Sequence, residues 1–384
     1  MNKREISEIK KQFTPQKNVI TRICGCYIDG EKTVKLTSKD AFYSLPEDDV
    51  HKYCDIFKKS LSGTVGKNLI NMEFPIEQEM EGGTQDFLMK LRETKLQDDD
   101  LVNEFYNKII DTYDYGMNYY IILIHALYDI PGKTSDGIEM EDASDEVYEF
   151  IMCSICPVNL TKAGLGYNEE KNTIEDRTRD WMVEPPAKAF LFPVFNDRST
   201  DIHNVLYYSK NPEDLQADFV ADVLGAVVPM TADSQKETFN TIITETLGND
   251  CDYETIKTIH ENLNEMITES KDAPEPLVLT KTGVKQLLEQ SGVPDEKMEN
   301  FDKDYEEAAG DKTEFLASNV ASVRKFNIET PDVVIKVNPD RTDLIETRII
   351  DGKQCLVITV SDHIEVNGVN VRTISAEDFE NSLE

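Results

Sequence analysis

The most metal-like spacing in this 384-residue chain belongs to four cysteines, Cys24-Gly25-Cys26 and Cys153-Ser154-Ile155-Cys156. Four thiolates bind zinc tetrahedrally. The spacing argues against that use. On strands, Cys24 and Cys26 share a face, whereas Cys153 and Cys156 point to opposite faces. A zinc knuckle needs a turn inside the second pair, and Ser-Ile supplies no glycine for one. Pro157 marks a strand end instead. Buried, reduced cysteines are the expectation, since free cysteine packs as a small apolar residue.

A second constellation is Asp197, Arg198, Asp201 and His203, with Asp180 and Trp181 upstream. An aspartate can orient a histidine for acid–base work, and loops at the rim of a sheet commonly carry such groups. Asn-Asp-Arg-Ser is equally ordinary turn composition. With 74 acidic residues in the chain, some aspartate falls near a histidine by chance. His125 lies within Ile121–Leu127 on the strand face of Leu123 and Leu127, where a hydrogen-bonded core histidine is the simplest expectation. An acid–base role for it needs a partner such as His203 or Asp129. Leu61-Ser62-Gly63-Thr64-Val65-Gly66-Lys67-Asn68 hints at a phosphate loop, but Leu61 replaces its first glycine and Asn68 its Mg²⁺-binding hydroxyl. The segment also follows a helix rather than a strand, so a helix-ending turn is expected.

Charge limits the partners. The chain carries 40 basic and 74 acidic residues, a net of −34. Through Lys67 there are 13 basic and 9 acidic residues; the remainder has 27 and 65. A slightly basic head therefore precedes a strongly acidic body. Acidity repels bare phosphate and anionic lipid, and nucleic-acid binding needs several cations to replace counterions. Lys3, Arg4, Lys10, Lys11, Lys58, Lys59 and Lys67 are the candidates for phosphate contacts with DNA. The acidic body suits a basic protein partner. Seven cysteines, an odd number, point to reduced thiols in the cytoplasm. The start, Met1–Ile6, shows no signal-peptide core. The longest apolar stretch, Tyr119–Tyr128, falls short of the ~20 residues of a membrane helix. A cytoplasmic protein without membrane contact is expected.

The elements that would position these residues read as α+β. A helix over Glu5–Phe13 precedes a hairpin of Val19–Ile28 and Thr33–Leu36 around Asp29-Gly30. Pro46-Glu47-Asp48-Asp49 opens a helix that Gly63 ends. After Leu69–Phe74 come two helices marked by Leu88 and Leu91, then by Phe105 and Ile109. Tyr119–Tyr128 and Val147–Val158 are buried central strands, with a polar loop over Pro131–Asp142 between them. Gly164–Asp180 reads as loop. Ala189–Phe195 and Ile202–Tyr208 read as a hairpin around Asn196–Ser199. Asn211-Pro212-Glu213-Asp214 is a helix start by its cap, proline and acids. Ser234 with Glu237 forms a capping box, and Asp252 caps a further helix. After a linker over Lys271–Pro276, two helices lead to strands whose hairpins turn at Asp351-Gly352 and Asn367-Gly368. The expected organisation is an N-terminal mixed domain over 1–210 with a central, mainly antiparallel sheet, a helical middle over 211–272, and a helix pair with a β-rich C-terminal unit over 273–384.

Several phrases run through the chain: Asn18-Val19-Ile20-Thr21-Arg22-Ile23-Cys24-Gly25-Cys26-Tyr27, Leu61-Ser62-Gly63, Cys153–Pro157 and Phe192-Pro193-Val194-Phe195-Asn196-Asp197-Arg198. In these the chain resembles a family of uncharacterised cytoplasmic proteins from Gram-positive anaerobes, catalogued as a domain of unknown function. That resemblance spans nearly the full length and implies no activity. The order of elements, with Asp218–Gly225 and Ser234–Phe239 as a helix–glycine–helix stretch, also resembles the bacterial nucleoid-associated protein family, which implies association with DNA. Neither resemblance carries catalytic residues. The leading expectation is a non-enzymatic cytoplasmic protein of the nucleoid or of nucleic-acid transactions, without a cofactor. The alternatives are an acidic module that binds a basic protein, and an enzyme using the Asp197–His203 loop.

Overall fold

Long apolar runs build the main sheet of the fold. The computed structural model describes residues 1–17, 19–133, 139–140, 146–248, 251–321, 325–360 and 364–371. It divides into two compact units, Met1–Gln235 with Ala273–Pro276, and Lys236–Asp272 with Leu277–Glu384. The helical segment expected over 211–272 is thus shared between the two units.

The first unit begins with α1 (Lys3–Lys10), β1 (Ile20–Ile28), β2 (Val34–Ala41), α2 (Glu47–Ser60) and β3 (Leu69–Glu73). Helices α3 (Ile76–Glu79), α4 (Thr84–Glu93) and α5 (Asp99–Thr112) follow. Next come strands β4 (Tyr119–Ile130), β5 (Gly132–Lys133), β6 (Glu139–Met140), β7 (Glu146–Leu160), β8 (Leu165–Asn168), β9 (Thr173–Asp176) and β10 (Trp181–Val183). Strands β11 (Lys188–Phe192), β12 (Val194–Asn196), β13 (Ser199–Asp201) and β14 (Asn204–Ser209) lead to α6 (Ala217–Val223). The main sheet is antiparallel, in the order β2-β1-β4-β7-β11-β14-β3, with β10 on the end of β7.

The pair β4–β7 is central, from Tyr119 opposite Pro157 to Ile130 opposite Glu146. Both faces of the pair are covered, which is why its sequence runs apolar instead of alternating. Ile121 and Leu123 pack with Leu88, Leu91, Phe105, Ile109 and Phe219 of α4, α5 and α6. Ile122 and Ile124 pack with Ile6, Ile9, Cys54 and Phe57 of α1 and α2. The sheet is therefore the middle of three layers, an α+β architecture.

Three local expectations are corrected. Gly164–Asp180 contains the hairpin β8–β9, with Tyr167 opposite Ile174. Its large apolar residues Leu165, Tyr167 and Ile174 are exposed, so they leave no buried run to read. Asn211–Asp214 is a turn, and its helix starts only at Ala217. The buried Lys188 ammonium donates to the Asp214 carbonyl, and the Ser209 hydroxyl bonds the Asn211 and Asp214 carbonyls. Carbonyls held this way are not free to start a helix. The next helix begins two residues before Ser234, with the Thr231 hydroxyl accepting from the Ser234 amide at 3.1 Å.

The second unit draws on α7 (Ala232–Leu247), α8 (Tyr253–Glu269), β15 (Val278–Leu279), α9 (Lys281–Gln290), α10 (Asp295–Met298), α11 (Phe301–Ala309), β16 (Phe315–Leu316) and α12 (Ala317–Val320). Phe239, Leu263, Leu288, Phe301 and Phe315 centre its core. Three hairpins follow: β17 (Phe326–Glu329) with β18 (Val334–Val337), β19 (Ile345–Ile350) with β20 (Lys353–Ile358), and β21 (Ile364–Val366) with β22 (Val369–Val371). The turns at Asp351-Gly352 and Asn367-Gly368 have positive φ at both residues, as a two-residue hairpin loop requires. Among the described residues, no helix is long and apolar enough to cross a membrane.

Candidate functional site

The four candidate cysteines fall on β1 and β7. Cys24, Cys26 and Cys153 face the α4–α5 layer, and Cys156 faces the opposite layer. All four are buried and free. Burial pushes the Cys26 thiol up to about 11 and raises Cys24, Cys153 and Cys156 as well. The thiolate, which is the form that binds metal, is therefore disfavoured. No group of three or more His, Cys, Asp or Glu among the described residues is placed to hold a metal ion.

The Asp197–His203 loop is the β12–β13 hairpin, and its polar groups are spent on different partners. Asp197 and Arg198 form the turn, with φ of 49° and 59°. The Asp197 amide donates to Glu5 Oε1 at 2.7 Å. The Arg198 guanidinium meets both oxygens of Glu8 at 2.9 Å and the Pro131 carbonyl at 3.1 Å. Asp201 accepts from the Asn196 and Asn204 side chains at 2.6 and 2.8 Å and from the His203 amide. His203 itself is exposed and pairs with Glu79 at 2.8 Å, which raises its pKa. The loop clamps α1 and α3 onto the sheet. Asp180 is tied by its backbone to Thr161. Trp181 pairs with Leu160, far along β7 from Ile151, where Phe192 sits.

Of the candidate phosphate-contacting cations, Lys3, Arg4 and Lys11 are exposed on and just after α1. Lys10 donates to Ser62 at 2.6 Å, Lys58 pairs with Asp55 at 3.6 Å, and Lys59 lines a different groove. Lys67 is exposed in the turn after α2. In that turn, the amides of Lys67, Asn68 and Leu69 all donate to the Thr64 carbonyl. They are therefore not free to cradle a phosphate.

Two features escape the sequence reading. The first is a groove of about 810 Å³ between α2 and β10. Tyr53, Ile56, Tyr120, Trp181, Met182 and Val183 give it an apolar lining, and Asp49, Lys52, Asp55, Lys59 and Glu184 give it a charged rim. Trp181, the only tryptophan, is 57% exposed. The Tyr53 and Tyr120 hydroxyls are 3.4 Å apart, and burial raises the Tyr53 pKa. This volume is typical of small-ligand and anchor-residue sites. The signal is Trp181-Met182-Val183, three apolar residues directly after the Gly164–Asp180 stretch read as loop.

The second is a relay of three side chains from β1, β4 and β7. His125 is fully buried, with Nδ1 2.6 Å from the Thr21 hydroxyl and Nε2 2.8 Å from Glu149 Oε1. Its partners are neither His203 nor Asp129. With Nε2–H donating to the carboxylate, Nδ1 is left as an acceptor for the Thr21 hydroxyl, which also reaches the His125 carbonyl at 3.2 Å. Burial lowers the His125 pKa, more than Glu149 raises it. Thr21 also lines a concavity of about 740 Å³ with Arg4, Lys11, Lys17, Tyr43 and Asp129. Only the register of three strands brings these residues together, which sequence alone does not reveal.

An antiparallel sheet covered by helices on both faces, with an open aromatic groove at one end, defines an α+β protein. Within that class, the chain belongs to the family described as Domain of unknown function (DUF4317), whose model matches residues 1–369. No curated protein and no solved structure matches it.

Proposed function

We propose that this protein acts by binding, and that the α2–β10 groove takes an apolar side chain of a basic polypeptide. The observation that carries this reading is the exposed Trp181 set among Tyr53, Tyr120 and Met182. Large aromatic residues in such clefts are typical anchors of recognition. The first unit has 25 basic and 43 acidic residues, a balance that draws a cationic partner and repels an acidic one. The five buried, unpaired thiols support a reducing, cytoplasmic setting for this role.

Trp181 reports on its own groove. A cationic peptide with a leucine or phenylalanine anchor should shift its emission and bind more weakly at high salt, while an acidic peptide of equal apolar content should not bind. Trp181→Ala should cost about 2 kcal/mol of binding, read by calorimetry. An unchanged Trp181 spectrum at saturating cationic peptide would falsify the proposal.

A second reading, association with nucleic acid as in nucleoid proteins, is favoured by the exposed Lys3, Arg4 and Lys11 around α1. Duplex DNA should then bind at low salt and release steeply as salt rises. Absence of binding at low salt removes this reading.

A further inference from the structure

We propose that Thr21 is the nucleophile of a second site, separate from the groove, that cleaves esters bearing an anionic group. Three observations converge on it. The β1–β4 ladder pairs Ile20 with Ala126 and Arg22 with His125, so a bulge leaves Thr21 outside the register. Bulges of this kind re-aim a side chain and are common beside active sites. The re-aimed hydroxyl lies 2.6 Å from His125 Nδ1, and the opposite nitrogen is held 2.8 Å from Glu149. This is the order hydroxyl, imidazole, carboxylate that activates an alcohol, here with the two ring nitrogens exchanged.

The third observation is the surroundings of the hydroxyl. The concavity lined by Thr21 also carries Arg4, Lys11 and Lys17. Of the two acids among its described lining residues, Glu8 and Asp129, Glu8 is already matched by Arg198. The cations therefore exceed the uncompensated acid, and an ester with a carboxylate or phosphate is the ligand that fits.

The step balances with water as the co-reactant. Thr21 Oγ bonds to the ester carbonyl carbon, and its proton passes to His125 Nδ1. The bond from that carbon to the leaving alcohol breaks, and the alcohol departs with the proton. Water, deprotonated by His125, then attacks the Thr21 ester, and Thr21 recovers its proton as the acid is released. Glu149 is a positioning residue: it fixes the tautomer and stabilises the imidazolium.

The test uses the full chain with 4-nitrophenyl hydrogen succinate, with 4-nitrophenyl acetate for comparison. The succinate ester should react faster at low salt, and its advantage should shrink as salt is added. Mass spectrometry should find a succinyl group on the peptide containing Thr21. Thr21→Val, which keeps the shape, should slow nitrophenolate release about 100-fold, and Thr21→Ser should retain it. Glu149→Gln should slow acylation while leaving Thr21 the labelled residue. Thermal melts confirm that each variant is folded. The proposal is overturned if the succinyl group lies elsewhere, or if folded Thr21→Val reacts at the wild-type rate. Neither result bears on peptide binding at Trp181.

Discussion

Replacing Gly25 with valine is expected to destabilise the first unit by about 1–3 kcal/mol and to abolish the Trp181 response together with it. A Cβ at Gly25 would lie 2.1 Å from the Tyr120 hydroxyl oxygen, 2.7 Å from its Cζ and 2.8 Å from Ser38 Oγ. The backbone there is ordinary strand, pairing with Ser38 and Ile122, so the requirement is for room rather than for a special conformation. A glycine inside a strand is normally a weak point. Here the Tyr120 ring lies over it and fills the missing volume. The same ring is a wall of the groove, so a side chain at Gly25 drives Tyr120 toward the ligand's place. Thermal melts and fluorescence titration read the two effects separately. Adding Tyr120→Ala to Gly25→Val should recover part of the stability, because the two residues are in contact. If Gly25→Val melts like wild type, the ring is not held as described.

Lowering the pH from 7.5 to 5.5 is expected to destabilise both units, each through a buried neutral histidine. In the first, burial keeps the His125 pKa below its ordinary value despite Glu149. In the second, burial and the charge of Lys236 do the same to His260. The His260 Nδ1 has no hydrogen-bond partner among the described residues, and its ring meets Phe326 edge-on at 5.9 Å. The unfolded chain takes up these protons near pH 6.5, whereas the folded chain resists until lower pH. Protons then bind the unfolded state better, and stability falls as pH falls through that window. His203 runs the other way, since Glu79 raises its pKa, but it is exposed and offsets little. Denaturant titrations at the two pH values check the direction. His260→Phe should remove most of the acid sensitivity of the second unit. Equal midpoints at both pH values would refute the assignment.

What was legible followed from local signals. The apolar runs around Ile122 and Ile151 marked β4 and β7, because burial on both faces leaves a continuous hydrophobic stretch. The parity of Cys24, Cys26, Cys153 and Cys156 gave their faces correctly, because a strand's period is two. Asp351-Gly352 and Asn367-Gly368 marked hairpins through positive φ. What stayed hidden depends on distant pairing. Arg198 meets Glu8 across 190 residues, and Thr21 meets His125 across 104. Nothing in the neighbourhood of either residue announces its partner. Asn211–Asp214 carries every local mark of a helix start, and it is overruled by Lys188, which lies outside that segment.

The partner of β3 is β14, with Asn71 bonding Asn204 across 133 residues. On a ribosome that adds ~5–20 residues per second, Leu69 and Met72 emerge several seconds before the strand that covers one side of them. The Arg198 clamp on Glu8 arrives as late. Helix α1 thus gains its last polar ties late, and a nascent chain stalled before residue 198 would hold it by the apolar contacts of Ile6 and Ile9, without the Arg198 clamp.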